Sequence, residues 1–102
     1  MYSKKTKKYR ELVSNYKSKR FEYEHAISKT NEINVRQKES EDLYKILKDI
    51  NPIIEKWHFH YMGLLEFQKM AYRSALSKEN VELMERYARQ LREEYGDNVN
   101  NI

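Results

Sequence analysis

Apolar and aromatic residues recur at every third or fourth position along most of the chain, which is the period of an α-helix. In residues 3–29 the apolar stripe consists of Tyr9, Leu12, Val13, Tyr16, Tyr23, Ala26 and Ile27. Its tyrosines stand at every seventh position, counted from Tyr2. The period predicts a long amphipathic helix over 3–29, in which the tyrosines from Tyr9 onward form a buried seam.

Three further segments have helical character, and each is bounded by residues that start or stop helices. The predicted helices cover 3–29, 41–50, 52–76 and 78–95. Their boundary residues are the N-cap Ser40, the pair Asn51 and Pro52, the N-cap Ser77 and the C-terminal stop Gly96. Residues 28–39 lose the apolar period and are rich in Asn, Ser and Thr, which predicts a loop or a frayed helix end. Residues 97–102 are predicted to be a flexible tail.

The segment 52–76 is the most apolar of the four. Its apolar residues fill close to half of the helix circumference, an arc that suits a central helix or the seam of a homodimer. We predict that Trp57 is buried within this arc and that His58 and His60 lie at its edges. A candidate patch for docking a protein lies on the polar side of the same helix and consists of Phe59, Gly63 and Met70.

The composition agrees with an all-helical fold. The 102-residue chain has two glycines and one proline, which are too few for the many turns of a β-sandwich or barrel. We therefore predict an all-α protein, a three- or four-helix bundle formed by a single domain over 1–96. The absence of cysteine excludes disulfides and thiolate zinc sites. No apolar run is long enough for a membrane span, and none follows the N-terminal lysines as in a secretory signal, so we expect a cytoplasmic protein.

Positive charge is concentrated at the N-terminal end of the first predicted helix. Residues 1–20 carry eight Lys and Arg side chains against one acidic residue, Glu11, so their net charge is +7 and that of the other 82 residues is −3. This polarity favours an anionic partner, such as the phosphates of a nucleic acid. The predicted contact residues are Tyr2, Lys4, Lys5, Lys7, Lys8, Arg10, Lys17, Lys19 and Arg20. A solvated basic helix that only keeps the protein soluble is the alternative interpretation.

Two patterns raise the question of a metal site, and neither supports one. His58 and His60 would point the same way on a strand, but on a helix they lie about 160° apart. The spacing Glu-x-x-His occurs twice, starting at Glu22 and at Glu55, as in the dimetal sites of four-helix bundles. On a helical wheel, however, both carboxylates point away from the apolar stripes. We predict no metal, no cofactor and no catalytic residue, because the sequence lacks phosphate-loop, nucleophile-elbow and zinc-protease motifs.

Two functions follow from these patterns. The first is a small non-enzymatic binding or regulatory protein that engages a nucleic acid or a nucleoprotein complex through its basic N-terminal helix. The second is a protein-interaction inhibitor or assembly subunit that clamps an acidic surface of a larger protein complex. The compact, Lys- and Asn-rich chain is typical of proteins encoded by phages or mobile elements of AT-rich genomes, which fits either function. No helix has a helix-turn-helix signature, so we do not expect sequence-specific reading of the major groove.

Overall fold

The computed structural model describes residues 6–102, and within that range the chain forms helices and turns but no strand. The helices are α1 Lys7–Leu47, α2 Ile53–Met70, α3 Lys78–Tyr95 and the short 3-10 helix η1 Val99–Asn101. The predicted all-α class is confirmed. The chain divides into two compact units, of which the first combines residues up to His25 with Ser74–Ile102 and the second is Ala26–Arg73. None of the described helices has the length and apolar character needed to cross a membrane.

α1 is one continuous helix, so the predicted loop over 28–39 is wrong. The segment contains neither Gly nor Pro, and Ile33 anchors it with only 4% of its surface exposed. Polar side chains of the segment have partners on α2. Gln37 Nε2 donates to Glu66 Oε1 over 2.8 Å, and Lys69 Nζ donates to Gln37 Oε1 over 2.9 Å. These contacts offset the weak helix propensity of the Asn and Thr residues nearby.

The core of the first unit is built from α1, α3 and η1. Its buried members are Tyr9, Leu12, Tyr16, Ala88, Leu91 and Val99. Tyr9 meets Tyr95 edge to face with 5.0 Å between ring centroids, and its hydroxyl donates a hydrogen bond to Asp97. The predicted tyrosine seam is thus confirmed for Tyr9 and Tyr16. Ile27, which was predicted to belong to the same stripe, is instead 37% exposed.

The C-terminal segment is packed, so the prediction of a flexible tail over 97–102 is wrong. α3 ends at Tyr95 and is capped by Gly96, whose φ of 68° is left-handed, as predicted for a C-terminal stop. The chain then turns back so that Val99 lies buried, with 7% of its surface exposed. The guanidinium group of Arg20 donates hydrogen bonds to the carbonyls of Val99, over 3.1 Å, and Ile102, over 2.7 Å. These bonds hold the segment against α1.

Both later helices begin with caps that the sequence predicts. The side chain of Ser77 accepts a hydrogen bond of 3.2 Å from an amide in the first turn of α3. The Oδ1 atom of Asn51 likewise accepts from the amide of Ile53 over 3.1 Å. α2 ends at Met70, earlier than predicted, and the chain continues through turns over 71–76.

The second unit packs α2 against the C-terminal part of α1, and the buried face of α2 differs from the predicted one. Leu65 is 2% exposed and His58 is 6% exposed. Trp57, predicted to be buried, is 64% exposed. The apolar arc of α2 is wider than the strip that α1 covers, so packing against α1 decides which part of the arc is buried.

Candidate nucleic-acid interface

Three cations form a stripe on the exposed side of α1. Lys7, Arg10 and Lys17 are all exposed, and intervals of three and seven residues place them on one face of the helix. None of the three takes part in an ion pair within residues 6–102. At a rise of about 1.5 Å per residue they extend over ~15 Å of the helix. We call these three residues the basic stripe.

An exposed aromatic pair continues the basic stripe along α1. Phe21 follows Lys17 by four residues and is 70% exposed. Its ring stacks on the imidazole of His25, with 5.7 Å between the centroids and 7° between the planes. α1 therefore presents a flat aromatic surface next to cations on the same face. Sequence reasoning missed Phe21, although its position one helical turn after Lys17 is the signal that identifies it.

The other predicted contact residues differ in their availability. Lys8 is exposed but lies on another side of α1. Lys19 forms an exposed ion pair with Glu22 over 3.4 Å, which is worth less than about 1 kcal/mol and leaves Lys19 available to a partner. Arg20 is held by backbone oxygens of the C-terminal segment and lies 5.2 Å from the ring centroid of Tyr16, so its charge is used within the chain. The predicted contacts that lie outside the described residues are Tyr2, Lys4 and Lys5.

A second exposed surface lies on α2, and it is apolar. Trp57 and Phe67 are 64% and 73% exposed. The predicted docking patch of Phe59, Gly63 and Met70 is exposed as well. Between α2 and α1 there is an open groove of about 500 Å³, whose apolar lining includes Leu43, Leu47, Ile54, Trp57 and Tyr61. Exposed apolar residues in such number mark an interaction surface.

The buried His58 has a polar side chain beside each ring nitrogen. Its Nδ1 lies 2.9 Å from Ser40 Oγ, its Nε2 lies 3.2 Å from Glu41 Oε2, and its ring stacks on Tyr44 with 4.5 Å between centroids. Ser40, predicted to be an N-cap, thus lies inside α1. The order serine, imidazole, carboxylate resembles a hydrolase triad, but Ser40 lies within a helix whose interior amides are bonded internally and cannot stabilise an oxyanion. The cluster therefore serves to join α1 to α2.

A polar cluster at another point of the second unit lowers the pKa of one carboxylate, that of Glu66. The hydrogen bond from Gln37, and then the hydrogen bond from Lys69, hold the pKa of Glu66 below its ordinary value of 4.5. Lys69 Nζ lies 3.1 Å from Glu66 Oε1. This carboxylate is exposed, so the cluster is a surface clasp between the helices.

The described residues do not assemble a metal centre. Within 6–102 there is no group of three or more His, Cys, Asp or Glu side chains placed to hold a metal ion. Glu22 and Glu55, the first residues of the two Glu-x-x-His motifs, are both exposed.

Comparison with known proteins assigns no family to the chain. No family model matches it, and no curated protein or solved structure shows significant similarity.

Proposed function

We propose that this chain is a small, non-enzymatic binding protein that engages the phosphate backbone of a nucleic acid, free or within a nucleoprotein complex, through the basic stripe of α1. The observation that supports this best is the combination of Lys7, Arg10 and Lys17, exposed and without ion-pair partners in the described chain, with the exposed ring of Phe21. We also propose that the helices pack as a bundle. The proposed location is the cytoplasm, where nucleic acids and nucleoprotein complexes are accessible.

The expected mechanism is phosphate neutralisation with release of counterions. A stripe of ~15 Å spans about four phosphates at the 3.4 Å per nucleotide of a duplex strand. Three contacts give a slope of log affinity against log salt of about −2 for a single strand and about −3 for a duplex. Phosphate contacts carry no base information, so binding should be insensitive to sequence.

Because of the aromatic pair, Phe21 and His25, the chain should bind single strands in preference to duplexes. Bases of a single strand can stack on an exposed ring, whereas bases of a duplex are already stacked. The contribution of such stacking is about 1–3 kcal/mol per base, measured as the loss on substitution by alanine. Phe21→Ala should therefore weaken binding to a single strand and leave duplex binding nearly unchanged.

The test is fluorescence anisotropy with labelled mixed-sequence single-stranded RNA, single-stranded DNA and duplex DNA over a series of salt concentrations. The double variant Lys7→Ala/Lys17→Ala should lose affinity and flatten the salt slope by about 1.5 to 2. The matched control is Lys45→Ala/Lys48→Ala, which removes the same charge from exposed positions in the last turn of α1 and just after it, away from the stripe.

Equal losses in both double variants would show that net charge, and not the stripe, governs binding. Binding that does not change with salt would contradict phosphate neutralisation. Circular dichroism of each variant checks that the helices are retained.

A protein partner with an acidic surface is the second candidate, as an inhibitor or assembly subunit of a larger complex would require. The same stripe supports it, because Arg and aromatic side chains such as Arg10 and Phe21 are frequent hot spots at protein interfaces. Pull-down from a native extract with and without nuclease separates the two functions. Capture of one acidic protein that survives nuclease and is lost with Lys7→Ala/Lys17→Ala would favour this candidate.

A further inference from the structure

α2 carries a second apolar stripe, which the packing against α1 leaves uncovered. The stripe consists of residues at alternating intervals of four and three, namely Ile53, Trp57, His60, Leu64, Phe67 and, directly after the end of α2, Ala71. This is the a/d spacing of a coiled coil, and all six residues are exposed. A helix that is apolar on two sides is normally covered on both. We call these six residues the α2 seam.

Gly63 lies midway along α2, beside the seam. A glycine inside a helix costs about 1 kcal/mol relative to alanine. A Cβ atom at Gly63 would meet nothing within 4 Å, so packing within the chain gives no reason for a glycine here. The approach of another helix does give one, because the missing side chain lets two backbones come close together.

We infer that two copies of the chain associate through the α2 seam, with their α2 helices antiparallel. A two-fold axis at the middle of the seam pairs Trp57 with Phe67 of the second copy and His60 with Leu64. The same axis places the two Gly63 residues on the same flank of the seam, near its middle. Parallel pairing would place His60 against His60, two ionisable rings within an apolar seam, which is unfavourable.

The exposed area of the α2 seam and of the apolar residues beside it, Tyr61 and Met70, is close to what a stable dimer needs. Trp57, Tyr61 and Phe67 are 64%, 41% and 73% exposed. At roughly 150–250 Å² for a whole aromatic side chain, these exposed fractions amount to about 400 Å² per copy. The exposed parts of Ile53, Leu64 and Met70 raise the area toward the about 800 Å² per partner of a standard interface.

Self-association also completes the architecture of the second unit. α2 and the adjoining part of α1 form a two-helix layer with an exposed apolar face. Two such layers joined through α2 make a four-helix arrangement, in which each seam is covered by its own copy. A second copy needs no additional component to do this, because the two-fold axis makes the seam complementary to itself.

The first test measures the mass of the full chain by equilibrium sedimentation over a range of micromolar concentrations. We expect twice the 12.5 kDa of one chain. Phe67→Glu should raise the dissociation constant by at least ~30-fold, the effect of a hot-spot residue. The control is Phe21→Glu, a phenylalanine of α1 that is 70% exposed but lies outside the seam, and it should leave the mass unchanged.

The second test reports the orientation. The chain contains no cysteine, so a single introduced cysteine has only its copy to react with. Gly63→Cys should be joined between copies by a short thiol-reactive crosslinker, since the antiparallel seam places the two residues near each other on one flank. Glu55→Cys, an exposed position of α2 on another side, should not.

A monomeric mass for the parent chain, or a dimer that survives Phe67→Glu, would overturn the inference. A dimer in which Gly63→Cys fails to crosslink, or crosslinks no faster than Glu55→Cys, would overturn the antiparallel arrangement. Circular dichroism establishes that Phe67→Glu remains helical, so that a loss of mass reports association.

Discussion

The guanidinium group of Arg20 donates a hydrogen bond to the backbone oxygen of Ile102, with 2.7 Å between nitrogen and oxygen. A second bond, of 3.1 Å, reaches the carbonyl of Val99. The positive charge at this point of α1 is therefore used within the chain. The cations of the basic stripe, by contrast, have no ion-pair partner within residues 6–102 and remain exposed.

Arg20→Ala should release the C-terminal segment from α1. Losing hydrogen bonds from a charged group costs about 1–2 kcal/mol at such a partly exposed site, and burial of Val99 is weakened with it. Urea unfolding measures the loss, and amide hydrogen exchange of residues 99–102 locates it. Arg10→Ala, an exposed arginine of the same helix, should change stability by no more than about 0.5 kcal/mol. Equal effects of the two substitutions would refute the proposed role of Arg20.

The free energy of unfolding should decrease at acid pH because Glu66 becomes protonated. Because hydrogen bonds from Gln37 and Lys69 lower the folded-state pKa of Glu66 below 4.5, its stabilising contribution is present above that value and is lost as the pH falls through the folded pKa. Gln37→Leu removes the largest cause, so the stability of this variant should depend less on pH in the acid range. Urea unfolding at a series of pH values checks this. Gln68→Ala, an exposed glutamine of α2, is the control, and a pH dependence as shallow as that of Gln37→Leu would speak against the clasp.

Leu65→Ala should be among the most destabilising substitutions in the second unit. Leu65 is 2% exposed, and truncating a buried leucine costs about 2–5 kcal/mol through lost burial and the cavity that remains. Leu43→Ala, at a leucine of α1 that is 57% exposed, should cost far less. Thermal unfolding of both variants gives the comparison, and similar melting temperatures would contradict the observed packing of α2.

Substitution by alanine should change the free energy of unfolding in opposite directions at the two glycines. Gly96 has a φ of 68°, which costs a residue with a side chain about 1–2 kcal/mol, so Gly96→Ala should destabilise the fold. Gly63→Ala relieves the helical cost of glycine and should stabilise a single folded chain by about 0.5–1 kcal/mol. Unfolding at low protein concentration, where association does not contribute, measures both. The same Gly63→Ala change should weaken the dimer, and a variant that stabilises the chain without weakening association would place Gly63 away from the two-fold axis.

Local signals predicted the helical class, several helix ends and part of the core. The caps at Ser77 and Asn51 and the stop at Gly96 depend on side chains and backbone within one turn of the helix end, so they can be inferred without knowing the rest of the fold. The same is true of the face that carries Tyr9 and Tyr16, because the helical period alone places them together. Among the site residues, the exposure of Lys7 and Lys17 follows from the same period.

The features that only the tertiary structure decided depend on contacts between residues that are distant in sequence. Gln37 stays helical because Glu66 on α2 accepts its hydrogen bond, although the local sequence resembles a loop. Trp57 is exposed and His58 is buried because α1 covers only one part of the wide apolar arc of α2. Helical periodicity gives the direction in which a side chain points, but it does not tell which element packs against that side chain. Arg20 binds backbone carbonyls about eighty residues away, a contact that no local pattern records. Composition and period thus determine that this protein is helical and where its charge lies, whereas long-range packing determines which of those charges and apolar faces remain for a partner.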